Sequence, residues 1–346
     1  MPTTENRRKA VVLGGGSFGT AIATILAENA YRTHLWVRDQ ETANAINDAR
    51  ENTRYLPGAE LPPNLTATDS LEEAIAGAEL VFMAIPSKAF MDVLERARGE
   101  IAPGTIVVSC TKGIYADGFL LMSQLLAREW PQARIGVLSG PNLAREIVER
   151  KFTGSVIAST DADLCQHVQE SLGCDYFRVY DNADVFGVEL AGALKNIYAI
   201  ASGMAAAIGV GENSRSFLIT RSLAEMSRFA VQQGADPMTF LGLAGVGDLI
   251  VTCSSSLSRN YQVGFQLGQG KSLKQAVATL GQTAEGVNTV RLVAERAQQE
   301  GIYMPIATGL YHILFKGVSL ADVATRLMQG EHNHDVEFAA RQETRS

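Results

Sequence analysis

The chain has 346 residues, 46% of them hydrophobic and 19% charged, proportions that suit a globular protein of two domains, each with its own core. Its net charge of −7 argues against nucleic acid or an anionic membrane as the main partner, so any phosphate ligand must be held by a local cluster of cations. The four cysteines (Cys110, Cys165, Cys174, Cys253) are scattered, with no C-x-x-C and no metal-like pairing with the five histidines, and read as reduced thiols of a cytoplasmic protein without a metal.

The segment before Lys9 is polar, and the first apolar run is too short for a signal peptide. That run, Ala10 to Leu13, reads as a buried parallel strand. Gly14, Gly16 and Gly19 follow on the spacing G-x-G-x-x-G, and Ser17 to Ala27 reads as a helix. The three glycines serve different ends. Gly14 permits a tight turn, Gly16 lets the backbone approach a pyrophosphate, and Gly19 lets the helix pack closely on the strand. The N–H groups of the helix start would face the phosphates.

Thr33 to Val37 is the second strand, ending at Arg38-Asp39. In such sheets this end meets the adenine ribose, about twenty residues past the glycines. An acid there favours a free 2′-hydroxyl and an arginine accepts a 2′-phosphate, so the adjacent pair leaves both NAD and NADP open, with a lean towards NADP through Arg38. Glu41 to Ala49 is helical, Asn52 to Leu61 is a loop, Leu65 to Thr68 a strand and Ser70 to Ala76 a capped helix. Glu79 to Ile85 is a buried strand stopped by Pro86, with Ser87 expected to cap a helix running to about Arg98. Thr105 to Cys110 and Ile135 to Leu138 are further strands, ending at Thr111-Lys112-Gly113 and Ser139-Gly140-Pro141-Asn142. Val156 to Ser159 and Phe177 to Tyr180 extend the sheet at its edge. The repeated strand–loop–helix units predict a doubly wound, Rossmann-type parallel sheet, with ligands beyond the carboxyl ends of the strands.

Near residue 184 the pattern changes to helical periods alone, which places a boundary between a dinucleotide-binding domain, 1–189, and an all-helical catalytic domain, 190–346. Leu190 to Gly211 is weakly apolar but carries Lys195, Asn196 and Ser202, so it reads as a buried helix rather than a membrane span. The charged tail 331–346 lacks apolar periodicity and is expected to be poorly ordered, with His332 and His334 solvated rather than metal-bound.

Between Glu189 and Glu212 the only charged side chain is Lys195, among small residues. Burial of a lone lysine lowers its pKa and suits it to proton transfer near neutral pH; the plainer alternative is a buried stem with its head in water. Downstream, Asp248 could orient a hydroxyl or a lysine, or cap a helix. Arg259 can grip a phosphate through two parallel hydrogen bonds, with Ser258 and the following amides completing an anion site; otherwise it belongs to a polar loop. Glu285 could accept hydrogen bonds from a carboxamide or ribose, or serve a helix dipole.

Taken together, GGGSFGTA, Thr111-Lys112-Gly113, Ser139-Gly140-Pro141, ELAGALKNIYAIASG and GLAGVGDLIVTC followed by SRN resemble the bacterial NAD(P)-dependent glycerol-3-phosphate dehydrogenase family, over about residues 9–330. TRYLPG, ITRSLAEM and AEGV fit as well. The resemblance implies reversible reduction of dihydroxyacetone phosphate to sn-glycerol 3-phosphate, the precursor of glycerophospholipids, with NAD or NADP as cofactor. Lys195 then matches the proton-transfer residue, and Lys112, Gly140, Asn142, Asp248, Ser258, Arg259 and Asn260 match substrate contacts. Ser17, Phe18, Arg38, Tyr55, Lys112, Ala144, Arg259, Thr283 and Glu285 match cofactor contacts beside the glycines. Asn142 stands where the family usually has a small hydroxyl residue, and Thr283-Ala284 where it has a pair of valines. A homodimer is the expected assembly, with neither nucleic acid nor stable membrane association. Two alternatives have distinct signatures. A 3-hydroxyacid dehydrogenase of similar build would carry an asparagine four residues after the lysine, where this chain has Ala199; a sensor that binds NAD(P)H without chemistry would not need Lys195 and Asp248.

Overall fold

The computed structural model describes residues 8–280 and 285–329, and the chain divides into two compact units, Met1–Glu189 and Leu190–Ser346. In the first, the apolar runs form β1 (Lys9–Leu13), β2 (Arg32–Trp36), β3 (Leu65–Thr68), β4 (Leu80–Met83), β5 (Ile106–Ser109), β6 (Arg134–Ser139), β7 (Thr153–Ala158) and β8 (Phe177–Asn182). They make one eight-stranded sheet in the order β3-β2-β1-β4-β5-β6-β7-β8. Its helices are α1 (Ser17–Glu28), α2 (Gln40–Ala49), α3 (Leu71–Ile75), α4 (Phe90–Arg96), α5 (Met122–Glu129), α6 (Ala144–Val148) and α7 (Ala162–Leu172).

Every residue of β1, β4 and β5 is buried, as expected for strands covered on both faces. Alternation then divides β1 between two apolar layers: Ala10 and Val12 join the core under α1, while Val11 and Leu13 join the core of Phe90, Leu94, Leu125 and Trp130. The order 3-2-1-4-5-6 of the first six strands reverses direction at β1/β4, the switch point where open sheets of this type take ligands. All pairings are parallel except β6 with β7, where the chain returns antiparallel after α6. The Ser155 hydroxyl fastens this return by donating to the Ser139 carbonyl at 2.9 Å. Behind Pro86, Ser87 opens only a 3-10 turn, Ser87–Ala89, with no side-chain cap, and α4 follows it.

In the second unit the described residues form helices and turns: the greater part of α8 (Val185–Ala207), then α9 (Glu212–Gln232), a 3-10 turn Pro237–Leu241, a π-helical turn Leu243–Gly247, α10 (Asp248–Ser254), α11 (Arg259–Gly268), α12 (Leu273–Leu280), α13 (Glu285–Glu300), α14 (Pro305–Lys316) and α15 (Leu320–Gln329). The small residues of α8 allow backbone-close packing. A Cβ added to Gly203 would stand 2.0 Å from the Tyr261 carbonyl oxygen, and one added to Gly264 of α11 only 1.9 Å from that of Ile200. Among the described residues no helix is long and apolar enough to cross a membrane. The tail 331–346 and Thr283 lie outside the described residues.

Candidate functional site

The glycine loop leaves β1 through Gly14, whose φ of +121° is a region that favours glycine and whose added Cβ would meet the Ala84 carbonyl oxygen at 2.4 Å. A Cβ on Gly19 would lie 2.0 Å from the Gly14 carbonyl oxygen, so α1 approaches β1 only without a side chain there. Gly16 differs from both: nothing lies within 4 Å of its added Cβ. It occupies the N-cap position of α1, with no side-chain cap and no acid in the first turn. The face beside Gly16 is therefore open, and the helix start offers it uncommitted N–H groups. A pyrophosphate fits this cradle.

Ser17 and Phe18 begin α1. The Ser17 hydroxyl donates to the Tyr55 carbonyl at 2.8 Å, so its proton ties down the 50–61 segment; Phe18 packs partly buried against the core. Arg38 and Asp39 follow β2 and are exposed. At the end of β5 the Lys112 ammonium donates to the Gly140 carbonyl at 3.0 Å. The Asn142 amide donates to Ser155 Oγ at 3.0 Å and leaves its own oxygen buried without a donor. Ala144 is the first residue of α6. The structure thus brings Lys112 to the Gly140–Asn142 turn.

In the second unit Lys195 is 6% exposed on α8. Its ammonium donates to Asp248 Oδ1 and, at 2.7 Å, to Thr252 Oγ1. The lysine is therefore not the isolated cation that its segment suggests. Asp248 does not cap α10, because Gly247 holds the cap position and the buried carboxylate faces the lysine. Thr252, to which the sequence reading gives no role, shares this contact; its position one turn after Asp248 is the available signal, since residues four apart share a helix face. Cys253 beside it is buried, which pushes its thiol up to about 12 and leaves it no nucleophile at neutral pH.

Ser258 is the N-cap of α11 and accepts from the Tyr261 N–H at 3.3 Å. Arg259, the next residue, is exposed. The Asn260 side-chain oxygen accepts from the Gly286 N–H at 3.1 Å, which fixes the start of α11 beside that of α13, where Glu285 is the first residue. Ser258, Arg259, Asn260 and Glu285 are thus gathered at two adjoining helix starts. Two buried acids, Glu189 and Glu225, escape sequence reasoning because their hydrogen-bond partners are remote in the chain. Among the described residues no cluster of histidines, cysteines and acids could hold a metal.

Two family models match the chain: the N-terminal region of NAD-dependent glycerol-3-phosphate dehydrogenase over residues 9–165, and its C-terminal region over 184–325. The NAD(P)+ glycerol-3-phosphate dehydrogenase of Alcanivorax borkumensis is 70% identical over 335 residues, covering 97% of this chain and 98% of its own. That of a Pseudomonas fluorescens strain is 58% identical, covering 96% and 94%. The crystal structure of glycerol-3-phosphate dehydrogenase from Coxiella burnetii matches with a TM-score of 0.90 at 34% identity, covering 94% of this chain and 99% of that one. The chain belongs to the NAD-dependent glycerol-3-phosphate dehydrogenase family.

Proposed function

We propose that this chain is the NAD(P)-dependent enzyme that reversibly reduces dihydroxyacetone phosphate to sn-glycerol 3-phosphate for glycerophospholipid synthesis. The observation that carries the reading is Lys195, buried and hydrogen-bonded to Asp248 and Thr252, in a chain whose glycine loop presents an open phosphate cradle. Residues 1–189 would then be the dinucleotide-binding domain and 190–346 the catalytic one. When bound, the nicotinamide supplies a hydride to C2 of the ketone. Lys195 donates the proton that completes the alcohol, and in the reverse direction its neutral amine accepts that proton. Asp248 and Thr252 hold the amine in place. Ser258, Arg259 and Asn260 bind the substrate phosphate, which positions the reacting carbon. Lys112, Gly140 and Asn142 contribute further substrate contacts. Gly14, Gly16, Ser17, Phe18, Gly19, Arg38, Tyr55, Ala144 and Glu285 serve the dinucleotide, as does Thr283.

A cytoplasmic homodimer is the form we propose. Half-exposed apolar side chains of the second unit, Phe217, Leu241 and Ile250 among them, support association; analytical ultracentrifugation tests it. The function is tested by following nicotinamide absorbance with dihydroxyacetone phosphate. Turnover is expected in the parent chain, together with its loss in Lys195→Ala while cofactor affinity stays nearly intact. Arg259→Ala should raise KM by about 10–100-fold, the range for a charge-assisted pair. Normal kcat in Lys195→Ala would overturn the assignment of the proton donor.

A further inference from the structure

The peptide between Gly15 and Gly16 has no side chain on either flank, so its plane turns easily. Gly15 is held to glycine because an added Cβ would meet Val37 Cγ1 at 2.4 Å, while Gly16 faces open space. The peptide is trans, so its carbonyl and its N–H point in opposite directions and fixing one fixes the other. Turned one way, it presents an N–H donor to a phosphate. Turned over, it presents a carbonyl oxygen that repels one.

The group that holds this plane is the carboxamide of Asn52, which is 2% exposed. Its Nδ2 donates to the Gly15 carbonyl and to Thr20 Oγ1, each at 2.8 Å. A carbonyl oxygen only accepts, so the amide nitrogen and not its oxygen must face Gly15. Asn52 is itself fastened by its own segment. Its carbonyl accepts the Leu56 N–H at 2.8 Å, and the Ser17 hydroxyl donates to the Tyr55 carbonyl at 2.8 Å. Arg145 of α6 donates to the Pro57 carbonyl at 2.6 Å. A side chain 37 residues after Gly15 therefore sets the direction of the glycine-loop peptide.

We infer that Asn52 is a positioning residue for the dinucleotide: by holding the Gly15 carbonyl, it keeps the Gly16 N–H turned the other way as a donor to the pyrophosphate. Asn52 acts through the peptide, not by touching the ligand. The inference rests on the proposed dinucleotide site and adds what shapes its phosphate cradle.

The test is titration calorimetry with ADP-ribose, which carries the pyrophosphate and has no hydride to transfer. The parent chain is expected to bind it. Asn52→Leu, close in volume but without a donor, should bind it about 10–100-fold more weakly, the range of a hydrogen bond to a charged group. Asn52→Ala, which leaves room for a water to take over the carbonyl, should lose less. Thr20→Val also leaves a buried N–H unpaired and should lower the urea midpoint as Asn52→Leu does. It should nevertheless keep ADP-ribose affinity within about twofold, because the bond to Gly15 survives. In turnover, Asn52→Leu should raise KM for the dinucleotide while kcat at saturating dinucleotide changes less than about twofold. Unchanged affinity in Asn52→Leu, or an equal loss in Thr20→Val, would make Asn52 a packing residue only and leave the dinucleotide site standing. A parent chain that does not bind ADP-ribose would overturn both.

Discussion

Lys195 and Asp248 have side chains only 7% and 1% exposed, so removing one charge strands the other away from water. Breaking a buried pair from one side costs about 3–5 kcal/mol, whereas replacing both partners with apolar residues of similar volume is often neutral. Asp248→Ala is therefore expected to lower unfolding free energy by about 3–5 kcal/mol, and the double variant Lys195→Met/Asp248→Leu to recover most of that loss. Urea denaturation of the two variants and the parent checks this; a double variant no more stable than Asp248→Ala would mean that the pair is not the source of the loss. Thr252→Val should cost less, about 1 kcal/mol, because the ammonium keeps its carboxylate. Lys195 is legible in the sequence as a chemical residue because it interrupts an uncharged stretch. Asp248 is legible as one of two options, a carboxylate that orients a hydroxyl or a lysine, but the π-helical turn that precedes it and sets its direction is not. That turn depends on Gly245, whose added Cβ would lie 2.4 Å from the Phe240 backbone, a tertiary constraint invisible to periodicity.

Helices with poor local caps draw their caps from elsewhere. α14 begins with Pro305 and has no side-chain cap of its own. The Ile306 and Ala307 N–H groups each donate at 2.8 Å to the carboxyl oxygens of Glu225, 81 and 82 residues away. α5 is treated in the same way, with the Ser123 N–H donating to Glu189, 66 residues distant. Such distances explain why the strands and the glycine loop can be read in the sequence while these acids cannot. Burial pushes both carboxyls up to about 7, against the opposing pull of those hydrogen bonds. A carboxyl whose folded pKa lies above its unfolded value binds its proton more tightly in the native state, so its contribution is complete below about pH 4.5 and lost as pH climbs through about 7. Each such group is expected to contribute a fall on the order of 3 kcal/mol across that window. Glu225→Gln should flatten the fall by removing one of the two groups. Urea midpoints measured through the window check it; an unchanged slope would mean that Glu225 ionises in the folded chain as it does in the unfolded one.

At the scale of the molecule, an acidic chain has to take up phosphorylated ligands. The net charge of −7 repels them at long range, and Arg38, Lys112 and Arg259 are the cations that the proposed ligand sites would set against it. The strands and the helical half are legible because each rests on patterns repeated over many residues, whereas the mooring of Asn52 and Tyr55 depends on a loop folding back on the glycines. The two length scales of the field make a kinetic prediction. At about 0.01 M ionic strength the Debye length is about 30 Å, and an approaching anion meets the charge of the whole chain; at about 0.15 M it is about 8 Å, and the nearby guanidiniums dominate. The association rate of 2′,5′-ADP is therefore expected to rise with salt over this range, because screening removes the repulsion first. Its dissociation rate should rise as well, since the contact pairs are themselves weakened. Stopped-flow binding separates the two rates. An association rate that falls steadily with salt would mean that the positive patch steers the ligand even at long range, and that the net charge is the wrong measure of the field at this site.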